Sequence, residues 1–196
     1  MIAAVILAAG TSARMGTNKL LIEVDAGRPI VARVADAAIE AGLNPVIVVT
    51  GHEAERVRAA LAGRLVRFEH NPRYVDGLAE SLKTGLAALP DEAAGALICL
   101  GDMPDVNAAH MARIVSAFDP EGGGQICVPV WQGRRGNPVL FARRFFGEMM
   151  NLSGDVGARG LIAANPDSVR EVPMEDDAVV TDLDTAEALS AYRRRR

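Results

Sequence analysis

Apolar residues fall into short runs, separated by stretches in which apolar positions recur every three or four residues. The runs at 4–8, 46–50, 66–69, 96–100, 126–130 and 138–141 have the length of strands, and 178–180 is a further strand-like run. Val46-Ile47-Val48-Val49 is apolar at successive positions, as a strand covered on both faces requires. After Pro29, the residues Ile30, Val31, Val34, Ala38 and Ile39 share one side of a helix, and Gly42 suits its end. Further helices are predicted at 53–61, stopped by Gly63, at 78–89 and at 108–118. Asn107 and Asp105 are candidate caps for the helix at 108–118. Strands alternating with helices predict an α/β fold, with a mostly parallel central sheet and helices on both faces.

Composition narrows this reading. A chain of 196 residues, 49% hydrophobic and 23% charged, is long and apolar enough for a full core, and one domain over residues 1–196 is expected. A net charge of −4 argues against nucleic acid as the main partner, so an anionic ligand must be held by a local cluster. The cationic run Arg193-Arg194-Arg195-Arg196 reads as a solvated tail. Cys99 and Cys127 lie in apolar runs, outside any C-x-x-C pair, which predicts buried reduced thiols. No apolar stretch approaches membrane-spanning length and no signal segment is evident, so a cytoplasmic protein without a membrane partner is expected.

The chemistry concentrates where strands end. Leu7-Ala8-Ala9-Gly10 runs from the first strand into a small-residue loop that carries Arg14, Gly16 and Lys19. Glycines leave room for phosphate oxygens, loop N–H groups form an anion nest, and Arg and Lys supply a planar fork and a mobile point charge. The loop has neither G-x-x-x-x-G-K-[ST] nor G-x-G-x-x-G. Gly101-Asp102-Met103-Pro104 follows another buried run, and an acid there, beside a phosphate loop, is a natural Mg²⁺ ligand. Asp184, in Thr181-Asp182-Leu183-Asp184-Thr185, is the second metal candidate; capping the last helix is its alternative role. Ser81, in Gly77-Leu78-Ala79-Glu80-Ser81-Leu82, and Thr50-Gly51-His52 are candidates for a base and ribose wall. His52, His70 and His110 show no metal spacing, and no Ser–His–Asp or Cys–His arrangement is legible. A reaction whose nucleophile is already an anionic phosphate needs charge neutralisation and in-line positioning rather than a general base.

These motifs together resemble a known family. Residues 7–19 are similar to the L-A-x-G-x-x-x-R-M-G-x-x-K signature of the Rossmann-like nucleotidyltransferases, and Gly-Asp-Met-Pro to their metal-binding aspartate motif. Asp182-Leu183-Asp184-Thr185-Ala186-Glu187 resembles their closing D-[IL]-D-T-P-E-D, with Ala186 in place of the usual Pro. Arg134-Arg135-Gly136-Asn137-Pro138-Val139-Leu140-Phe141 and Leu152-Ser153-Gly154-Asp155-Val156-Gly157-Ala158-Arg159 resemble segments of the molybdenum cofactor cytidylyltransferase branch. The resemblance implies a Rossmann-like nucleotidyltransferase fold, with a nucleotide-binding N-terminal half and a cosubstrate-binding C-terminal half.

It also implies transfer of a cytidylyl group from CTP to the terminal phosphate of Mo-molybdopterin, with Mg²⁺ held by Asp102 and Asp184. Arg14 and Lys19 would screen the phosphates, with Asp102 the third catalytic residue. Leu7, Ala8, Ala9, Gly10, Thr50, Gly51 and Ser81 would complete the nucleotide site, and Arg135, Asn137, Asp155 and Arg159 would face the pterin. A recipient molybdoenzyme or its chaperone is the expected protein partner. Ala9 resembles the pyrimidine-using members, which favours CTP over GTP. Guanylyl transfer, sugar-1-phosphate nucleotidyl transfer and a non-catalytic molybdopterin carrier are the alternatives.

Overall fold

The structure is a computed structural model that describes residues 1–11, 17–24, 27–155 and 157–194. Its centre is an eight-stranded sheet formed by β1 (Ile2–Ala8), β2 (Val46–Thr50), β3 (Arg67–His70), β4 (Gly95–Leu100), β5 (Ile126–Trp131), β6 (Arg134–Arg135), β7 (Val139–Ala142) and β8 (Val169–Pro173). The order runs β3-β2-β1-β4-β7-β5-β6, and β8 pairs with β5. The contiguous β3-β2-β1-β4 half is parallel, with Ala4 level with Val46 and with Leu97. β7 runs antiparallel to both β4 and β5, and β8 returns parallel to β5.

Side-chain alternation explains why helices cover both faces. Along β1, Ala4, Ile6 and Ala8 join one core, while Val5 and Leu7 join the other. The first core is closed by α1 (Ile30–Glu40), α2 (Ala54–Ala60) and α4 (Ala108–Ser116), through Val34, Val57 and Met111 among others. The second is closed by α3 (Leu78–Ala87), α5 (Phe146–Met149) and α6 (Arg159–Ala164), through Leu82, Met149 and Ile162. The last helix, α7 (Ala186–Arg194), packs Leu189 and Tyr192 with Ile30 and Leu183. Cys99 and Cys127 are buried free thiols, as expected. Among the described residues no helix is long and apolar enough to cross a membrane.

Two local readings are corrected. Residues 178–180 are not a strand but belong to a 3-10 turn, Asp177–Val180, in which the Ala178 N–H donates to Asp176 Oδ1 at 3.0 Å. The cap of α4 is Asn107 and not Asp105. Asn107 Oδ1 accepts the His110 N–H at 3.1 Å and His110 Nδ1 accepts the Asn107 N–H at 3.2 Å, a reciprocal box that satisfies two otherwise orphan donors. Nδ1 being the acceptor, Nε2 carries the proton and faces Asp176 Oδ2 at 3.2 Å, so His110 is a satisfied structural residue. At the start of α7 the Ala188 N–H donates to Thr185 Oγ1 at 3.1 Å.

Candidate active site

The sheet order reverses direction between β1 and β4, and the crevice beyond the carboxyl ends of those strands is where such folds bind ligands. A cavity of about 570 Å³ lies there. Ala9, Gly10 and Thr11 after β1, Asp102 after β4, Lys19, and Asp184 from the segment before α7 all line it. Its opposite wall is formed by Tyr74, Val75, Gly77, Leu78 and Ser81, with Asp155 beside them. The first strand thus delivers Gly10 to the cavity, and the fold brings the distant acids to it.

Lys19 holds the two acids together. Asn18 is buried and its Oδ1 accepts the Leu20 N–H at 3.2 Å, which starts the 3-10 turn Lys19–Leu21 and aims Lys19 at the strand ends. Lys19 Nζ donates to Asp102 Oδ2 at 2.6 Å and also to Asp184 Oδ1. Burial alone would lower the Lys19 pKa, but the Asp102 and Asp184 carboxylates outweigh it and hold the ammonium above its ordinary value. The acids are fixed through the backbone as well, since the Leu183 N–H donates to the Asp102 carbonyl at 3.2 Å. Asp102 Oδ1 is buried with no hydrogen-bond partner among the described residues. An anionic oxygen so placed is costly unless a cation or donor reaches it.

The opposite wall is also built from hydrogen bonds. Asn71 is buried, its Oδ1 accepts the Arg73 N–H at 2.9 Å, and its Nδ2 donates to Ser81 Oγ at 3.0 Å. The Ser81 hydroxyl accepts from Asn71, so its proton is free to be donated to a ligand in the cavity. Gly77 has φ +109°, and a Cβ there would stand 2.6 Å from the Gly154 carbonyl carbon. Only glycine allows the segment around Asp155 to lie this close on the start of α3.

The other sequence-derived candidates divide. Leu7, Ala9, Gly10, Lys19, Ser81, Asp102, Asp155 and Asp184 meet at the cavity. Ala8 points into the core on the α1 side. The Thr50 hydroxyl is buried and donates to the Glu69 carbonyl at 3.2 Å. Gly51 packs between Tyr74 and Ala9, bracing the wall from behind. Arg135, Asn137 and Arg159 are not among the described residues of the lining. Arg135 pairs with Glu171 on β8 at 2.8 Å, the Asn137 N–H donates to the Val179 carbonyl at 2.8 Å, and Arg159 is exposed at the start of α6. Arg14 lies outside the described residues. Sequence reasoning missed Asn71 and the apolar pair Tyr74 and Val75. The one signal was an aromatic residue in a polar stretch, Asn71-Pro72-Arg73-Tyr74, between a strand and a helix.

The α/β sheet thus places at its strand-order reversal a cavity lined by Gly10 and by a lysine that bridges two acids. The chain belongs to the MobA-like NTP transferase domain family, which matches residues 4–170. Its structure is similar to that of Rv0371c from Mycobacterium tuberculosis H37Rv, with a TM-score of 0.87, 32% identity, and coverage of 98% of this chain and 97% of that one. A nucleotidyl transferase from Methanothermobacter thermautotroptrophicus (Mth528) has the same fold, with a TM-score of 0.87, 24% identity, and coverage of 100% and 97%. The bifunctional protein GlmU of Anaeromyxobacter dehalogenans is 39% identical over 122 residues, 59% of this chain. The chain spans only about a quarter of the length of the curated relatives it matches, 25% in that case.

Proposed function

We propose that this nucleotidyltransferase joins the α-phosphate of CTP to the terminal phosphate of Mo-molybdopterin, releasing pyrophosphate. The observation that carries the reading is the Lys19 bridge between Asp102 and Asp184 at the mouth of the glycine loop. Lys19 would move from the carboxylates to the phosphate oxygens as the triphosphate enters, screening charge as it develops on the leaving pyrophosphate. Arg14 would add a second cation from the loop. Ala9, Gly10 and Ser81 would hold the base and ribose, with the Ser81 proton given to a base or sugar oxygen.

The donor set fits Mg²⁺. Asp102 Oδ1 is a buried oxygen without a donor among the described residues, and Asp102 and Asp184 already converge on one cation. Among the described residues no three acidic, His or Cys groups cluster as a self-sufficient metal cage. That suits a cation held by one or two carboxylates together with substrate phosphates. Mg²⁺ bound there would neutralise the triphosphate and polarise its α-phosphorus. A similar structure is Rv0371C in complex with manganese, at 30% identity and a TM-score of 0.81. The choice of CTP and of the pterin acceptor rests on the Leu-Ala-Ala-Gly loop and the segments 134–141 and 152–159. We also propose a division of labour in one domain, with the nucleotide held by the N-terminal half and the pterin by Arg135, Asn137 and Arg159.

The test is pyrophosphate release with Mo-molybdopterin, Mg²⁺ and each of CTP, GTP, ATP and UTP. Release with CTP alone is expected. Preference for GTP would reassign the nucleotide, and release only with a sugar 1-phosphate would replace the acceptor. Tight pterin binding without turnover would make the protein a carrier.

A further inference from the structure

Asp155 comes from the segment that the sequence assigns to the pterin, yet its carboxylate is engaged elsewhere. Asp155 Oδ1 accepts the N–H of Leu78, the first residue of α3, at 3.2 Å. One residue away, the Gly154 carbonyl accepts the Ala79 N–H at 3.1 Å. These are two of the N–H groups that a helix start leaves without intrahelical partners. Gly77, the residue before α3, has no side chain to cap them. The gap is closed from outside, by a segment 77 residues further along the chain. The missing Gly77 Cβ is what lets Gly154 approach. Asp155, Gly77, Leu78 and Ser81 all line the same cavity.

We propose that Asp155 is a positioning residue for the nucleotide site, fixing the first turn of α3 so that Gly77, Leu78 and Ser81 present a formed wall to the nucleotide. The inference rests on the nucleotidyl-transfer reading given above, and replaces the pterin contact expected for this residue. An external carboxylate at a helix start satisfies a donor and complements the helix dipole. Without it, the turn that carries Leu78 and Ser81 must be ordered by the nucleotide itself, and that cost appears as lost affinity.

The experiment measures CTP binding in the presence of Mg²⁺ by calorimetry, and steady-state kinetics, for the wild-type protein, Asp155→Ala and Asp155→Asn. Asp155→Ala is expected to weaken CTP binding and raise the KM for CTP about tenfold, with kcat at saturating CTP changed less than about twofold. Asp155→Asn keeps a carbonyl acceptor for the Leu78 N–H and should recover most of the affinity. The Leu78 and Ala79 amides should exchange faster with solvent in Asp155→Ala, while the β1 amides keep their protection. CTP affinity unchanged in Asp155→Ala would overturn the proposal, as would a rise in the acceptor KM alone in both variants. Failure of the wild-type protein to bind any nucleoside triphosphate would instead overturn the reading on which it rests.

Discussion

Lys19 and Asp102 stand 2.6 Å apart although 83 residues separate them in sequence, and their pairing joins the glycine loop of β1 to the end of β4. Both side chains are largely buried, with relative exposures of 15% and 16%. Removing the lysine therefore leaves two facing carboxylates in a poorly solvated site. Lys19→Met should lower kcat/KM by about 10²–10³-fold, the typical loss for one charge-stabilising donor. It should also cost about 1–2 kcal/mol in urea unfolding, less than for a fully buried pair because solvent reaches the site. Adding Asp102→Asn should recover stability but not activity, a coupling that a double-mutant cycle reads directly. Near-wild-type turnover in Lys19→Met would remove Lys19 from the reaction.

The same bridge makes a prediction for cations. Lys19 Nζ lies where a divalent ion shared by Asp102 and Asp184 would have to bind. In the absence of nucleotide the ammonium and the metal compete, so Lys19→Met should bind Mn²⁺ more tightly than the wild-type protein, by at least about tenfold. The free Mn²⁺ signal in electron paramagnetic resonance titrations measures this. Equal or weaker binding by the variant would show that the two cations occupy different places.

Gly10 separates function from stability. A Cβ at Gly10 would meet no described residue within 4 Å, and Gly10 lines the cavity. A side chain there costs the folded protein little but fills space intended for a ligand. Gly10→Val should unfold within about 0.5 kcal/mol of wild type. Its nucleotide affinity should fall by about 5–150-fold, the overpacking cost of 1–3 kcal/mol expressed as a binding ratio. An unchanged affinity would place the triphosphate away from this loop.

The parallel half of the sheet was legible because its strands are apolar on both faces. The residues of β2, Val46–Thr50, are all buried. β8 escaped because Val169-Arg170-Glu171-Val172-Pro173 buries only Val172 fully and carries two charges outward. The run 178–180 is apolar, but the Asp176 side chain accepts the Ala178 N–H of a 3-10 turn and wins locally over extension. At the site, Gly10, Lys19 and Asp102 announced themselves because phosphate and metal chemistry demands those residue types beside strand ends. Asp155 was recognised as a site candidate, but sequence carries no sign that its carboxylate meets a backbone N–H 77 residues earlier. Asn71 gave no sign either, because its role is to hold Ser81 rather than to touch a ligand.

The two cysteines set the alkaline limit of stability. Burial pushes the Cys99 thiol up to about 12. Burial, partly opposed by Arg170, pushes Cys127 up to about 11. In the unfolded chain both thiols ionise near ~8.5. Above that pH the unfolded state binds fewer protons than the folded state, so stability falls as pH rises, by up to about 1.4 kcal/mol per unit for each thiol. Below pH ~8.5 both states keep the protons and the stabilisation is fully present; it is lost as pH climbs towards the folded values. Replacing both thiols (Cys99→Ala with Cys127→Ala) should cost about 1–3 kcal/mol at pH 7.5 from the cavities left behind. Between pH 7.5 and 10 the variant should then lose about 4 kcal/mol less than the wild-type protein, the Lys19 contribution cancelling between them. The same burial predicts that iodoacetamide leaves the native thiols intact at pH 8 and modifies them in urea. Parallel stability curves for the two proteins, or rapid native alkylation, would show that the thiols ionise in the folded state far more easily than their surroundings imply.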